Sequence, residues 1–452
     1  MCPQSAQSLF ALTEINTKTK YSLTPELALR CGCAHHTIMR RFLQLRASLL
    51  ASLVCFSSMG FAQDPARLTE LLSDAATLQP IIKNKESERQ AASFELDVAR
   101  WSRYPSLSSQ VQTVSGGAQA VVLVKQSLWT GGRITSQIDL AQATLDGSTA
   151  AVNLAELQVL QQTSSAFFEA LRLEARLQAA RNNEDEHKRL LDIIQRRVKA
   201  EVSPKTDETQ ARSRLQQAIS ERMQTERQLR SIRLQLEQLV GHPVLALKAP
   251  QRVAMPMWDE ASLQQSAIAF APERRTLVAQ VAAADAGIVS TRAQLLPQVV
   301  LSYEHRLGSL RLGEERDRLY LGLEMQTGAG LSSLSANHVA VARRQAAKDS
   351  IDVHDRRLIQ TVSSAWAELQ ALTRQLEPAR ALLGGTDEVV ASYLRQFQVG
   401  RKNWLDVLNA QREKTNAHYA LADIEFPLES ARVQLLLLVG ALHAKNLSAI
   451  HE

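Results

Sequence analysis

An internal duplication constrains the folding of this 452-residue chain more than any other feature of its sequence. Several short motifs occur twice, in the same order and at a nearly constant separation. They are Pro80 with Pro272 and Pro105 with Pro297, 192 positions apart; Thr130-Gly131 with Thr327-Gly328, 197 apart; and Ser164 to Phe167 with Ser363 to Trp366, and Leu239 to Gly241 with Leu438 to Gly440, 199 apart. Because the separation grows only where loops are expected, the pattern indicates one unit present twice.

Each half is predicted to contain a helix, two short strands, a very long helix, a turn and a shorter helix. In the first half the long helix is expected at about residues 133–199, which is roughly 100 Å at ~1.5 Å per residue. The flanking helices, at about 81–104 and 205–240, together have nearly the same length. Two short helices stacked end to end would therefore match one long helix, which favours a layered cylinder. Aromatic residues make up only 5% of the chain, as is typical of extended helices and coiled coils.

Apolar positions in the helices alternate spacings of four and three, the period of a coiled-coil seam. Three runs show it: from Leu173 to Val198, from Ala211 to Leu239, and a third at Leu405, Leu408, Arg412, Thr415, Tyr419, Ala422 and Phe426. Polar members such as Glu184 and His187 interrupt these runs, which favours a wall whose helices touch two neighbours and also face water. Pro378 and Gly384-Gly385 are expected to kink or loosen the second long helix.

Four short segments change to period two, which predicts β-strands. They are residues 106–114, 119–128, 299–304 and 319–326, close to the ~9 to 11 residues of a tilted membrane-crossing strand. Trp101, Tyr104 and Trp129 fall near the helix–strand junctions, where a girdle at the lipid boundary would lie. The hairpin tips, Gly116-Gly117 and residues 308–317, would face outside. The alternative is two ordinary hairpins on a soluble domain.

Four strands cannot close a membrane barrel by themselves. Two copies would give eight strands, whose side chains fill the interior, whereas three copies would give twelve and leave space for a channel. If the strands lie in a membrane, closure requires an oligomer, and a conduit favours three chains.

The first 62 residues are predicted to contain an export signal, preceded by an N-terminal extension that is not expected to be translated. Arg40-Arg41 precede a mainly apolar stretch from Phe42 to Phe61, with cleavage expected after Ala62. Met39 is the expected translation start. No later stretch reaches the ~18 apolar residues of a spanning helix, so we expect an exported protein without a helical anchor.

Removing this segment changes the composition. Residues 1–62 hold 6 of the 52 basic and 2 of the 46 acidic residues, so the mature chain would carry 46 against 44. The apparent basicity that might suggest nucleic acid disappears. All four cysteines, including the zinc-like Cys31-x-Cys33-x-His35-His36 spacing, lie in this segment, and we reject that site.

The rest of the chain offers little for catalysis. Glu184-x-x-His187 has the spacing of a metal motif but lies in a charged helical run and has no second copy. The glycine pairs have no phosphate-loop lysine nearby, and no nucleophile with a base stands out. We expect no enzyme, cofactor or metal.

The segment from Phe397 to Gln411, FQVGRKNWLDVLNAQ, resembles the periplasmic turn and following helix of the TolC family of outer-membrane channels. The resemblance covers nearly all of residues 64–441 and is sharp at this turn. It implies a mainly α fold with a small β part: a homotrimer whose twelve-stranded transmembrane barrel continues into a long α-helical tunnel. It also implies that the helical tips dock on a periplasmic adaptor of an inner-membrane transporter. By position these tips are Ala200, Glu201, Val202 and Ser203, and Val399, Gly400, Arg401 and Lys402.

In the best-known member of that family, a tyrosine and an arginine near this turn help to close the tunnel, and two aspartates ring its entrance. The matching positions are Phe397, Lys402, Asp406 and Asn409. Phe397 lacks the family's hydroxyl, Lys402 cannot make the bidentate contact of arginine, and Asn409 leaves one carboxylate where two would lie.

Two points stay open at these turns. Three copies of Asp406 could attract cations, or Asp406 could be an acid that a first helical turn favours, as Asp207 is in the first half. Gly400 suits a tight turn, whereas the first half has Glu201 there, so the geometry of the first turn is uncertain.

The expected organisation is a signal segment (1–62), a first repeat (63–241), a linker (242–271), a second repeat (272–441) and a tail (442–452). The expected function is a passive outer-membrane export conduit driven by a separate pump. The form of the turn from Arg401 to Asp406 resembles members that serve type I protein secretion, including adhesin export. Drug or metal efflux through a tripartite pump is the alternative within the class, and a periplasmic coiled-coil protein without a pore is the alternative outside it.

Overall fold

The structure is a computed structural model that describes residues 66–114, 117–250, 252–253, 255, 257–308, 310, 313–325, 332–443 and 450–451. The helices are α1 (Leu68–Leu78), α2 (Pro80–Trp101), α3 (Arg133–Lys199), α4 (Lys205–Val240), α5 (Glu260–Phe270), α6 (Pro272–Ala293), α7 (Ser332–Gln398) and α8 (Trp404–Leu438). The strands are β1 (Ser106–Val114), β2 (Gly117–Trp129), β3 (Arg252–Val253), β4 (Gln298–Gly308), β5 (Asp317–Glu324) and β6 (Ile450–His451).

The expected signal segment and its cysteines lie outside the described residues, as do Gly116, Thr327-Gly328 and most of the tail. Among the described helices, none is both long and apolar enough to cross a membrane.

The duplication is visible element by element, which confirms the predicted fold class. The long helices α3 and α7 each contain 67 residues. The short helices α1 and α5 each contain 11 residues and begin 192 positions apart, at Leu68 and Glu260. Within residues 242–271, which were predicted to be a linker, residues 260–270 form α5, the second copy of α1. Asp259 caps this helix by accepting a hydrogen bond from the Ser262 amide.

The helices form a layered wall, as the lengths predicted. The long helix α3 packs against α2, α4, α6 and α8. The other long helix, α7, packs against α6 and α8. The main apolar core lies where α1, α3, α4 and α8 meet, around Phe167 and Phe168, whose rings pack edge to face.

The predicted seam between α3 and α4 is largely confirmed. Leu173, Leu177, Ala180 and Ile194 are buried on α3, and the polar Glu184 is buried among them. Glu184 pairs across the seam with Arg222, whose Nε lies 2.5 Å from its Oε2. Charged pairs therefore replace apolar contacts where the seam pattern is interrupted.

The third run is only partly a seam. Leu408, Thr415 and Ala422 are buried on α8, but Leu405 is 51% exposed and Arg412 is exposed. The prediction of a seam position is wrong for these two residues, because α8 packs between α3 and α7 and turns Leu408 inward. The helix α7 runs without a break through Pro378 and Gly384-Gly385.

The four longer strands form one antiparallel sheet in the order β1-β2-β4-β5. Residues directly opposite each other in such a sheet share a face. One row across all four strands is apolar: Leu107, Val124, Tyr303 and Leu319. The next row, on the opposite face, is mostly polar: Ser106, Lys125, Ser302 and Tyr320.

The apolar face is strongly exposed. On β5, Leu319, Leu321 and Leu323 are 68%, 65% and 73% exposed, although they alternate with the polar-face residues as the sequence predicted. A soluble domain rarely leaves so contiguous an apolar surface uncovered.

Candidate functional site

The two interhelical turns, which join α3 to α4 and α7 to α8, have the same backbone geometry. In the first turn Glu201 has a φ of 57°, and the Val202 amide donates to the Arg197 carbonyl at 2.9 Å. In the second turn Gly400 has a φ of 77°, and the Arg401 amide donates to the Gln396 carbonyl at 2.9 Å. Both are therefore helix ends of the Schellman type, with one left-handed residue. Glu201 does not alter the turn.

The helix after the second turn has a side-chain cap. Asn403 accepts a hydrogen bond from the Asp406 amide at 2.9 Å. Asp406 therefore lies in the first turn of α8. There its negative charge interacts favourably with the positive end of the helix dipole. In the first turn Pro204 holds the capping position, with a φ of −71°.

The predicted tip residues are exposed at these turns. Val202 and Val399 are 62% and 70% exposed, and Ala200, Glu201, Gly400 and Arg401 are exposed as well. Ser203 is half-buried, with its Oγ 3.3 Å from Arg197 Nε. Exposed apolar side chains on two adjacent turns provide a surface that a partner could cover.

A small apolar cluster holds the two helical hairpins together at this end. Its buried members are Leu190, Ile194, Ala211, Phe397, Trp404, Val407 and Leu408. They come from α3, α4, α7 and α8, so the two turns lie at the same end of the wall.

Phe397 lies inside this cluster and not on an open surface. It is 5% exposed, and its ring centre lies 5.6 Å from that of Trp404. The Arg197 guanidinium, on the other hairpin, lies 4.7 Å from the centre of the Phe397 ring. This cation–π contact joins the two helical hairpins. Phe397 has no hydroxyl group, so its ring face makes the contact. The sequence did not reveal these roles of Trp404 and Arg197, because nothing in the sequence around either residue indicates a contact between the hairpins.

Lys402 is held by contacts within its own hairpin. Its Nζ lies 3.5 Å from Asp406 Oδ2 and 4.4 Å from the centre of the Tyr393 ring. The lysine therefore partly neutralises the carboxylate that was predicted to line the entrance. Asn409 is exposed on α8 and does not join this pair. The entrance role of all four residues stays a prediction.

A polar cavity of about 150 Å³ lies between α3, α4 and α8, just above the apolar cluster. His187 and Arg214 line it together with Glu221, Asn409 and Arg412. Burial lowers the pKa of His187, and the nearby Arg214 lowers it further. Beside it, Asn183 Oδ1 accepts a hydrogen bond from the buried Thr415 hydroxyl at 2.9 Å, which links α3 to α8.

In the Glu184-x-x-His187 motif, which was rejected as a metal site, the glutamate forms ion pairs with Lys188 and Arg222. A hydrogen bond from Lys188, followed by that from Arg222, lowers the pKa of Glu184. Within the described part of the chain, no group of three or more metal-ligating side chains comes together.

Two duplicated helical hairpins, a four-stranded sheet with an exposed apolar face and two exposed turns at one end are features of an outer-membrane protein with a helical periplasmic part. The chain belongs to the outer membrane efflux protein family, whose model matches residues 71–242 and 263–441. It is accordingly a protein of the cell outer membrane, with its helical part in the periplasm.

Individual relatives agree with this family. The chain is 26% identical over 293 residues to the pyoverdine export outer membrane protein OpmQ of Pseudomonas aeruginosa, covering 62% of this chain and 60% of that protein. It thus spans less than two thirds of that relative. It is 24% identical over 411 residues to protein CyaE of Bordetella pertussis, covering 84% and 85% of the two chains.

Solved structures share the fold. The outer membrane protein VceC of Vibrio cholerae aligns with a TM-score of 0.72 at 16% identity, over 82% of this chain and 96% of that one. A membrane protein from Pseudomonas aeruginosa aligns with a TM-score of 0.73 at 20% identity, over 82% and 93%. At these identities the likeness shows the fold that the three chains share.

Proposed function

We propose that three copies of this chain assemble into a passive conduit through which cargo leaves the periplasm across the outer membrane. The observation that carries the proposal is the sheet, whose apolar face is exposed and whose two outer strands each have a free edge. Among the described residues, β1 pairs only with β2 and β5 pairs only with β4. Lipid cannot satisfy the backbone groups of a free edge, so the edges must meet those of other copies.

The number of copies follows from the strand count. Three chains contribute twelve strands, which enclose a channel, whereas eight strands leave an interior that side chains fill. Two helices of the wall, α2 and α7, also carry exposed apolar side chains. They are Ile81, Phe94 and Val98 on α2, and Leu334, Val339, Val341 and Val353 on α7. A neighbouring copy would cover them.

Passage of cargo through the proposed conduit needs no catalytic step. An inner-membrane transporter supplies the energy, and a periplasmic adaptor connects it to the exposed turns at Ala200 to Ser203 and Val399 to Lys402. The exposed Val202 and Val399 side chains support docking at these turns. The surrounding lipid is the partner of the apolar sheet face.

For cargo, we infer type I secretion of a large, adhesin-like protein. The support is the Arg401 to Asp406 segment, which resembles the turn of secretion members of the family. The second candidate is efflux of small compounds, which the similarity to a pyoverdine export protein favours. Deletion of the gene separates them: loss of a secreted protein supports the first, and accumulation of a siderophore or sensitivity to toxic compounds supports the second.

The membrane assignment of the sheet has a matched test. Leu321 lies on the apolar face and is 65% exposed, whereas its neighbour Tyr320 lies on the polar face. Arginine on the lipid face costs about 2 to 4 kcal/mol near the bilayer centre, while lumen positions tolerate charge. Leu321→Arg should therefore abolish recovery of the trimer in carbonate-washed outer membranes, and Tyr320→Arg should not. Equal recovery of both variants would contradict the assignment of the faces.

A further inference from the structure

A large polar cavity lies where the sheet meets the helices. Its volume is about 740 Å³, and its lining includes the side chains of Lys125, Arg133, Gln137, Gln294, Gln298 and Glu324. The long helix α3 begins at this level, with Arg133 as its first residue. The cavity belongs to neither of the two turns, which lie at the opposite ends of α3 and α7.

The strand register places this cavity on the polar face of the sheet. Lys125 is paired with Ser302, and Gln298 is paired with Glu324. The neighbouring row, Val124 with Tyr303, lies on the exposed apolar face. In the proposed conduit the apolar face meets lipid, so the cavity opens on the lumen at the junction of barrel and tunnel.

The charges at this junction do not cancel. Lys125 Nζ lies 2.7 Å and 2.8 Å from the two carboxylate oxygens of Glu324, so these two residues neutralise each other. Within the described chain, no carboxylate forms an ion pair with Arg133. Its Nε is buried without a hydrogen-bond partner. Each chain therefore contributes one uncompensated positive charge at this level.

We propose that Arg133 is a charge-selecting residue of the channel, which favours anions and carboxylate- or phosphate-bearing cargo at the barrel–tunnel junction. The inference rests on the proposed function, because only a closed trimer brings three copies of Arg133 around one lumen. Rings of like charge around a lumen with low-dielectric walls concentrate ions of the opposite sign. The Lys125–Glu324 pair is neutral, so it adds to this positive potential only when Glu324 is removed.

The test is the reversal potential of single channels of the purified full-length trimer in planar bilayers under a KCl gradient. Arg133→Gln should lower the chloride-to-potassium permeability ratio about twofold, and Arg133→Lys should preserve it. Glu324→Gln releases Lys125 and should raise the ratio. If Arg133→Gln does not assemble, Arg133→Met removes the same charge and should lower the ratio in the same way.

Arg103→Gln is the control, because it removes one positive charge just before the sheet begins, from a residue that does not line the cavity. The Arg103 carbonyl accepts a hydrogen bond from Gln126, which is paired with Leu301 on the apolar face. This variant should leave the ratio unchanged. The Arg133 effect should also shrink in ~1 M salt, where the Debye length is ~3 Å.

Two outcomes overturn the inference, and they are distinguishable. If the wild-type protein forms channels whose permeability ratio is the same in Arg133→Gln, Arg133 does not select charge, and the conduit stands. If the wild-type protein forms no channel at all, the conduit itself fails and the inference fails with it.

Discussion

Glu201 and Gly400, 199 positions apart in the chain, occupy the same left-handed position in the two interhelical turns, with φ values of 57° and 77°. Glycine adopts this conformation freely, whereas a residue with a Cβ is strained there. One turn therefore carries a strain that the other does not, although both make the same hydrogen bonds.

Glu201→Gly should stabilise the first turn by about 1 kcal/mol, because it removes this strain. Hydrogen exchange at the Val202 amide, which donates to Arg197, reports the change directly. Slower exchange than in the wild-type protein is expected. Faster exchange would show that the glutamate side chain stabilises the turn by more than its backbone strain costs.

Gly440→Ala should destabilise the protein more than Gly400→Ala. Both glycines have a positive φ, of 74° and 77°, so the backbone cost is the same. A Cβ at Gly440 would overlap the ring of Phe270, whereas no atom lies within 4 Å of a Cβ at Gly400. The packing clash should add about 1 to 3 kcal/mol. Denaturant unfolding of the two variants measures the difference, and equal midpoints would contradict the packing around Gly440.

Asp406→Ala should weaken block of the channel by multivalent cations if the carboxylate faces the tunnel entrance. Lys402→Gln should strengthen that block, since it frees Asp406 from the ammonium 3.5 Å away. Single-channel recordings with cations added on the periplasmic side measure both. If neither variant changes the block, Asp406 only stabilises the N-terminus of α8, which Asn403 caps.

His187 should make the contact between α3 and α4 sensitive to pH. Burial lowers the pKa of His187 in the folded chain, so the unfolded chain binds a proton more readily. The stability is complete above the unfolded value near 6.5 and falls as the pH drops from there towards the folded pKa. Hydrogen exchange in residues 183–190, compared at about pH 7.5 and about pH 5.5, should show loosening that His187→Gln lacks. The same pH response in this variant would assign the effect to another group.

The sequence predicted both ends of α3, because Gly131-Gly132 precede the helix and its apolar run stops at Val198, before a second run with the same spacing starts at Ala211. It did not predict α5. That helix is short and follows a stretch rich in Pro and Met, although the 192-residue offset from Leu68 and the cap at Asp259 were available signals.

The contacts at the turns were beyond prediction for a different reason. Trp404 and Tyr393 meet their partners through helix packing, and the contact of Arg197 with Phe397 joins residues 200 positions apart. Periodicity reports which side of a helix is apolar but not which neighbour it meets. For the same reason Leu405, in register with the heptads, is exposed, while Leu408 is buried.

We expect this chain to form a channel only as a closed trimer. The most direct measurement combines native mass determination of the detergent-purified protein with conductance of the same sample in planar bilayers. The account predicts a mass of three chains and discrete conductance steps, both lost in Leu321→Arg and kept in Tyr320→Arg. A monomeric, non-conducting wild-type protein that leaves the membrane on carbonate washing would contradict it.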